Sequence, residues 1–451
     1  MIDPVVILII GVAVLIAMII VLRVNAFIAL ITAAIIVSLL SPGDLSEKVA
    51  RAADAFGSVV GAIGIVIALA AVIGKCLMDS GAADRIVRSF LKALGEKRAP
   101  TALMASGFVL SIPVFFDTVF YLLVPLARSL WRRTRKNYLL YVTAIVAGAA
   151  ITHTLVPPTP GPLFMANRFN VDLGLMIVIG VLIGLPAAAL GLLVCMVLNR
   201  LMDIPMRPYS GEPEPEPLDD SQLPALWISL TPVILPVILI SANTVSKALG
   251  AGKSVTNVTA VLGNPNLALL LAAYIAMFVL VRKRKLSLKE LGQTVDKALM
   301  SGGIIILITA GGGAFGAMLR AAGVQDSVKN LVGTAGPDVG LMILLMAFAV
   351  ASVVKFAQGS GTVSMITTAS IFAAMDISSE MLGCNVVYLV MAIGSGSLVG
   401  DWMNNSGFWI FARMSGLTET ETLKSWTILT AMLGVIGLGM TLLLASVMPM
   451  V

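Results

Sequence analysis

ITHTLVPPTPGP, residues Ile151–Pro162, interrupts an apolar run that begins near residue 138 and should otherwise cross a membrane. Proline lacks the backbone donor and its ring clashes with the preceding turn, so Pro157, Pro158 and Pro160, with Gly161, cannot continue that helix. In hydrocarbon an unwound backbone survives only where protein buries it or where it lines a watery cavity. Thr152, His153 and Thr154 stand just before the break, and His153 is the only histidine of the chain. A broken helix carrying hydroxyls and one titratable group has the layout of a solute site at membrane depth. The stretch therefore points to a transporter.

Composition agrees. Of the 451 residues 58% are hydrophobic and 12% charged, about half the charged fraction of a soluble domain. Apolar runs of span length recur from end to end, each needing roughly 20 residues to cross a bilayer. The net charge of +6 lies in loops, so it speaks to orientation and not to nucleic acid. Cys76, Cys195 and Cys384 lie far apart in apolar segments, without metal-ligand spacing, and read as packing residues. The N-terminus lacks the basic region of a cleavable signal and reads as the first span.

Going outward from the break, apolar segments cover 4–22 and 25–40, and residues 44–57 form a short amphipathic stretch expected in the interface. A span rich in small residues follows at 58–79, then an amphipathic helix at 82–97. Segment 99–130 holds SIPVFFDT, with Pro113 and Asp117, at its middle and is expected to be a re-entrant hairpin with its tip at Ser111–Thr118. The broken span covers 138–166, and another runs over 172–198. Residues 203–224 are the one extended polar stretch; alternating Glu and Pro favour a solvated linker.

That linker divides the chain nearly in half, and the halves are related. One constant offset lays Gly74 on Gly316, Leu77 on Leu319, Gly81 on Gly323 and Asp84 on Asp326. It also pairs Asp54 with Asp296, Thr118 with Ser360, Ala150 with Ala392 and Ile151 with Ile393. Five spans and one hairpin per half make the two repeats insert upside down relative to each other. Cytoplasmic loops are enriched in Lys and Arg. Arg85–Arg98, Arg128–Lys136 and Arg282–Lys285 are the basic clusters, while the counterpart of the middle one, Asp376–Gly383, has no Lys or Arg. Placing the clusters inside puts the linker inside and the N-terminus outside. The expected architecture is an all-α polytopic membrane protein of two inverted repeats, about ten spans plus two re-entrant hairpins. The first repeat covers 1–202, with scaffold spans 4–40 and 172–198 around a transport part at 58–168. After the acidic, Pro-rich cytoplasmic linker (203–224), the second repeat covers 225–451, with scaffold at 225–282 and 425–449 and transport part at 301–414.

In the second half the hairpin tip reads FAQGSGTVSM (356–365) and the break GSGSLVGDWMNNSG (394–407). Glycines such as Gly359 and Gly361 expose backbone N–H groups; Ser360, Thr362, Ser395 and Ser397 offer hydroxyls. Helix N-termini at such breaks suit a carboxylate. The bland alternative is that small residues merely let helices approach closely. Candidate substrate-binding residues are Ser111, Thr118, Thr152, His153, Thr154, Gly359, Ser360, Gly361, Thr362, Ser395, Ser397 and Asn404. Carboxylates at membrane depth are costly unless they work, so Asp117 and Asp401 are candidates to carry a proton, as is His153. Structural pairing, for instance with Lys355, is the competing reading. Lys75 and Lys355 either attract an anion or snorkel. The chain has no P-loop, dinucleotide fingerprint or metal-ligand cluster, so an enzyme is not expected, and uphill transport has to draw on an ion gradient rather than a cofactor.

The most specific segments are GKCLMDSGAADRI (74–86), SIPVFFDTVFYLLVPLA (111–127), THTLVPPTPGP (152–162), GSGTVSMITTASI (359–371) and GDWMNNSGFW (400–409). With these the whole chain resembles the gluconate permease family, the gluconate:proton symporters. The resemblance implies uptake of gluconate or a related sugar acid with protons, in a bacterial cytoplasmic (inner) membrane. It also implies the ion-transporter superfamily fold, a homodimer whose transport domains move as elevators. A D-serine or sodium-coupled organic-acid symporter of the same fold is the alternative. A passive channel or a membrane sensor is the reading from outside the carriers.

Overall fold

The computed structural model describes residues 3–202, 204–207, 219–324, 339–403 and 405–450. All regular structure among them is helical. The first half runs α1 (Pro4–Ile16), α2 (Ala26–Leu40), α3 (Ala50–Asp79), α4 (Ala82–Leu94), α5 (Ala99–Leu110), α6 (Phe116–Thr134), α7 (Tyr138–Leu155), α8 (Pro160–Arg168) and α9 (Leu173–Leu201). The second runs α10 (Leu226–Ala248), α11 (Lys253–Leu262), α12 (Pro265–Arg284), α13 (Leu288–Ala321), α14 (Val339–Gln358), α15 (Gly361–Ala373), α16 (Val387–Gly396), α17 (Ser406–Ser415) and α18 (Ile428–Val447). Eight segments of the described residues are long and apolar enough to cross a membrane, and five shorter apolar helices accompany them.

The same order of elements occurs in both halves: a long helix (α3, α13), a helix–turn–helix (α5–α6, α14–α15), an interrupted helix (α7–α8, α16–α17) and a closing long helix (α9, α18). Contacts between halves are reciprocal. α3 packs on α13, α2 on α13 and α12 on α3, while α6 lies on α17 and α15 on α8. Small residues make the close approaches: a Cβ on Gly302 would sit 3.3 Å from that of Ala71, and one on Gly313 would run into the Val59 side chain. The α6–α17 contact is aromatic, with Phe120 and Phe411 ring centres 5.4 Å apart. The core of the molecule is α7, buried along nearly its whole length.

Two sequence expectations shift. Residues 50–57 do not form a separate interfacial piece; they open α3, because nothing between them and the apolar part breaks the helix. Arg128 is no loop residue: α6 continues to Thr134, and the buried Arg128 guanidinium donates to the Arg207 carbonyl (2.8 Å) and the Tyr138 hydroxyl (3.3 Å).

The described ends of the linker are tied down by the basic clusters. Arg207 pairs with Glu421 through two bonds of 2.6 and 2.7 Å. At the other end Arg85 donates to the carbonyls of Asp220 and Pro224, and Arg88 to the Asp220 carboxylate at 2.7 Å. The Arg88 guanidinium holds the Asp220 carboxyl below its ordinary range. This contact is therefore present above that range and lost only as pH falls through the depressed value. Arg284 reaches the Asp79 carbonyl (2.6 Å), at the same end of α3 from which α4 departs. The three basic clusters thus gather at one end of the helix assembly.

Candidate functional site

The two interruptions are made by different chemistry. In the first half, Val156 leaves the helix in an extended conformation (φ −114°, ψ 118°), as the residue before a proline prefers. Pro160 then starts α8, a position where a missing N–H costs nothing. In the second half glycine does the work: Gly400 sits at φ +83°, where a Cβ would press on Phe356 at 2.8 Å. Asn405 then caps α17, its side-chain oxygen accepting from the Gly407 N–H at 3.2 Å.

Between the interruptions and the two turn regions lies a cavity of about 650 Å³. Its lining draws on every one of these elements: Phe115–Thr118 from the first turn region, His153 and Thr154 from the end of α7, Lys355 and Ser360–Thr362 from the second, and Ser397, Asp401 and Asn405–Gly407 from the second break. Trp426, at the entry to α18, closes one side; it stands edge-on to Phe116 with centres 5.2 Å apart.

The strongest polar contact is an ion pair. Lys355 Nζ lies 3.0 Å from Asp401 Oδ2, with side chains only 2% and 7% exposed. Lys355 also donates to the Gly359 carbonyl, and Asn405 Nδ2 donates to Asp401 Oδ1 at 2.6 Å. Both partners of the pair therefore have further hydrogen bonds, which a buried ion pair needs to offset its desolvation. Trp402 Nε1 donates to the Phe356 carbonyl (2.9 Å) and its ring stacks on Phe356, fastening the end of α14 to the second break. Asp117 lines the same cavity, within electrostatic reach of both Lys355 and Asp401.

Three helices begin at this cavity: α6, α15 and α17. The first N–H groups of a helix have no intrahelical partner and carry partial positive charge. Asp117 occupies the first turn of α6, whereas the first turns of α15 and α17 hold no acid. Lys355 and the first turns of α15 and α17 therefore bring positive charge to the cavity lining, alongside the carboxylates of Asp117 and Asp401.

Of the residues expected from sequence, Thr118, His153, Thr154, Ser360, Gly361, Thr362, Ser397, Asp117 and Asp401 line the cavity together. Thr152, Ser111, Gly359 and Ser395 are not among its lining residues. Two residues along a helix turn a side chain by about 200°, so Thr152 points away from the side that Thr154 gives to the cavity; its hydroxyl donates back to the Gly148 carbonyl at 2.9 Å. Ser395 lies buried against Gly437 of α18. Ser111 is buried at the end of α5, and Gly359 serves the turn, at φ +88°. Asn404 lies outside the described residues. His153 Nδ1 is buried without a hydrogen-bond partner and its ring meets Phe115 edge-on. Lys75 pairs instead with Asp79 at 2.8 Å, in a smaller cavity of about 200 Å³ that shares Phe115, Thr118 and Ser301 with the main one. Sequence reasoning missed Phe115, Ser301 and Trp426. Trp426 carries no local signal, because it reaches the site only through the packing of α18.

Residues 3–448 match the family described as GntP family permease. The chain belongs to that family. A GntP permease moves a solute and does not transform it, and the eight candidate spans agree with an integral membrane protein. Among similar GntP-family proteins, the gluconate permease of Pseudomonas aeruginosa is 34% identical over 429 residues, covering 94% of either chain. The Gnt-II system L-idonate transporter of Escherichia coli strain K12 is 31% identical over 438 residues, covering 96% of this chain and 97% of the relative. Among solved structures, the YdaH transporter of Alcanivorax borkumensis aligns with TM-score 0.66 over 94% of this chain and 98% of its own, at 14% identity. That likeness is one of fold.

Proposed function

We propose that this GntP-family permease takes up gluconate or a closely related sugar acid across the bacterial cytoplasmic membrane, driven by the proton gradient. The observation that carries the reading is the cavity itself. One space joins hydroxyl groups (Thr118, Thr154, Ser360, Thr362, Ser397), a buried lysine and two acid-free helix N-termini. A ligand with a carboxylate at one end and a run of hydroxyls behind it matches that division. The volume falls within the roughly 300–1,000 Å³ common for small-molecule sites. Relatives are named for gluconate and L-idonate, which share this chemistry. Proton coupling is supported by the two cavity carboxylates, Asp117 and Asp401.

The two halves act as repeats of opposite orientation, and each helix–turn–helix enters the membrane and returns. The gathering of basic clusters at one end supports the cytoplasmic side there. In this mechanism α3–α8 and α13–α17 travel together across a scaffold of α1, α2, α9–α12 and α18, in a homodimer. Cysteines placed at Thr118 and Ser360 are expected to change the face from which they are labelled when gluconate is added; an unchanged pattern with and without substrate would count against the movement.

The uptake reading is tested in proteoliposomes with labelled gluconate. An inward proton gradient is expected to raise accumulation at least tenfold over the gradient-free level, with sodium replacement having no effect. Accumulation that follows sodium, or that D-serine abolishes by competition, would favour the other carrier reading instead.

A further inference from the structure

We infer that the substrate carboxylate takes the place of Asp401 on Lys355, and that the displaced Asp401 receives the coupled proton, giving electroneutral symport of one proton with one sugar-acid anion. The inference deepens the sugar-acid reading and rests on it.

Three observations lead there. First, Lys355 and Asp401 come from different repeat-related elements, the end of α14 and the second break, and meet only at the cavity, which both line. Second, Lys355 lines the cavity together with the first turns of α15 and α17, where an incoming carboxylate finds N–H donors that have no intrahelical partner. An anion docking there meets an ammonium already engaged by Asp401 at 3.0 Å. Third, among the described residues the charged and titratable groups that line the cavity with Asp401 are Lys355, Asp117 from α6 and His153 from α7. Adding an anion beside Asp401 and Asp117 would leave a single lysine against three carboxylates, with Lys355 and Asp401 both buried. Each uncompensated buried charge costs several kcal/mol.

The exchange removes that cost with its charges balanced. Before binding, Lys355 and Asp401 form a neutral pair. A proton adds to Asp401 Oδ2 as its contact with Nζ is lost, making a neutral carboxylic acid. The incoming carboxylate forms the new pair with Nζ, so the charge of the loaded site equals that of the empty one. Asn405, which donates to the other Asp401 oxygen, can keep that bond throughout, since a protonated carboxyl still accepts. Asp117 takes no part in the exchange.

The test is proton counting on the purified full-length protein. Gluconate is added in weakly buffered solution near pH 7 with a pH-reporting dye, and binding is measured in parallel by calorimetry. Wild type is expected to take up about one proton per gluconate bound. Asp117→Asn, a change in the cavity lining, is expected to alter gluconate affinity while still taking up about one proton per gluconate bound. Asp401→Asn is expected to bind gluconate without proton uptake and, in liposomes, to exchange internal for external gluconate while losing at least tenfold in gradient-driven accumulation. Wild-type transport is expected to be indifferent to an imposed membrane potential. Binding without proton uptake by the wild type, or charge movement with each turnover, overturns the inference while the gluconate reading stands. Loss of proton uptake in Asp117→Asn but not in Asp401→Asn moves the carrier to Asp117 and also overturns it. No binding of gluconate by wild type overturns the functional reading itself. The wild-type proton count and potential dependence decide the matter even if Asp401→Asn fails to fold.

Discussion

Gly148→Ala is expected to leave little folded protein. Gly148 lies in α7 where α5 crosses it, and a Cβ there would drive into the Met104 carbonyl and stand 2.9 Å from both Met104 C and Phe108 N. All three obstacles are backbone, so no rotamer change relieves them. Overpacking a core costs about 1–3 kcal/mol where side chains can shift; here α5 must move as a body, which places the cost at about 3 kcal/mol or above. Because α7 is buried along nearly its whole length and ends in the cavity, the separation would also misplace His153 and Thr154. The expected readout is a melting temperature in detergent lowered by 10 °C or more, or loss of the monodisperse peak. Gly439→Ala is the control, since a Cβ there meets nothing within 4 Å and alanine favours the helix. A Gly148→Ala protein as stable as that control would show that the α5–α7 contact is not as close as described.

The second large effect belongs to Lys355→Met. Removing the ammonium strands the Asp401 carboxylate in a buried site, a change that typically costs about 3–5 kcal/mol. The double variant Lys355→Met with Asp401→Asn removes both charges and is expected to recover most of the stability, because a neutral amide can keep the hydrogen bond with Asn405. Transport is expected to remain lost in both, since the carboxylate-binding cation is gone. The two effects separate in a double-mutant cycle read by thermal stability. Additive losses, with the double variant less stable than either single one, would mean that the pair is not coupled as its 3.0 Å separation indicates.

How far the sequence discloses this molecule depends on whether a residue signals locally. Prolines and glycines do. Pro157, Pro158 and Pro160 announce the first break, and the glycine–serine run announces the second, so both interruptions and both turn regions are legible to within a few residues. Charge inside an apolar run also signals, and Asp117, Lys355 and Asp401 stand out for that reason. What does not signal is direction. Thr152, His153 and Thr154 read alike as three polar neighbours, yet helical rotation sends only the latter two into the cavity. Ser395 and Ser397 divide in the same way. Pairing is also silent, for nothing in the sequence says that Lys355 meets Asp401 and not Asp117. The segment of Ser301 is the extreme case, being distant in the chain from every other lining segment.

The two interruptions also differ in stiffness. Proline holds the Val156–Thr159 backbone of the first break to a narrow set of angles, while the second break turns at Gly400, whose φ of +83° only glycine adopts freely. Breaks at matching places in the order of elements thus differ in what they tolerate: a Cβ at Gly400 would press on Phe356 at 2.8 Å, whereas the first break depends on proline rings that no other residue carries.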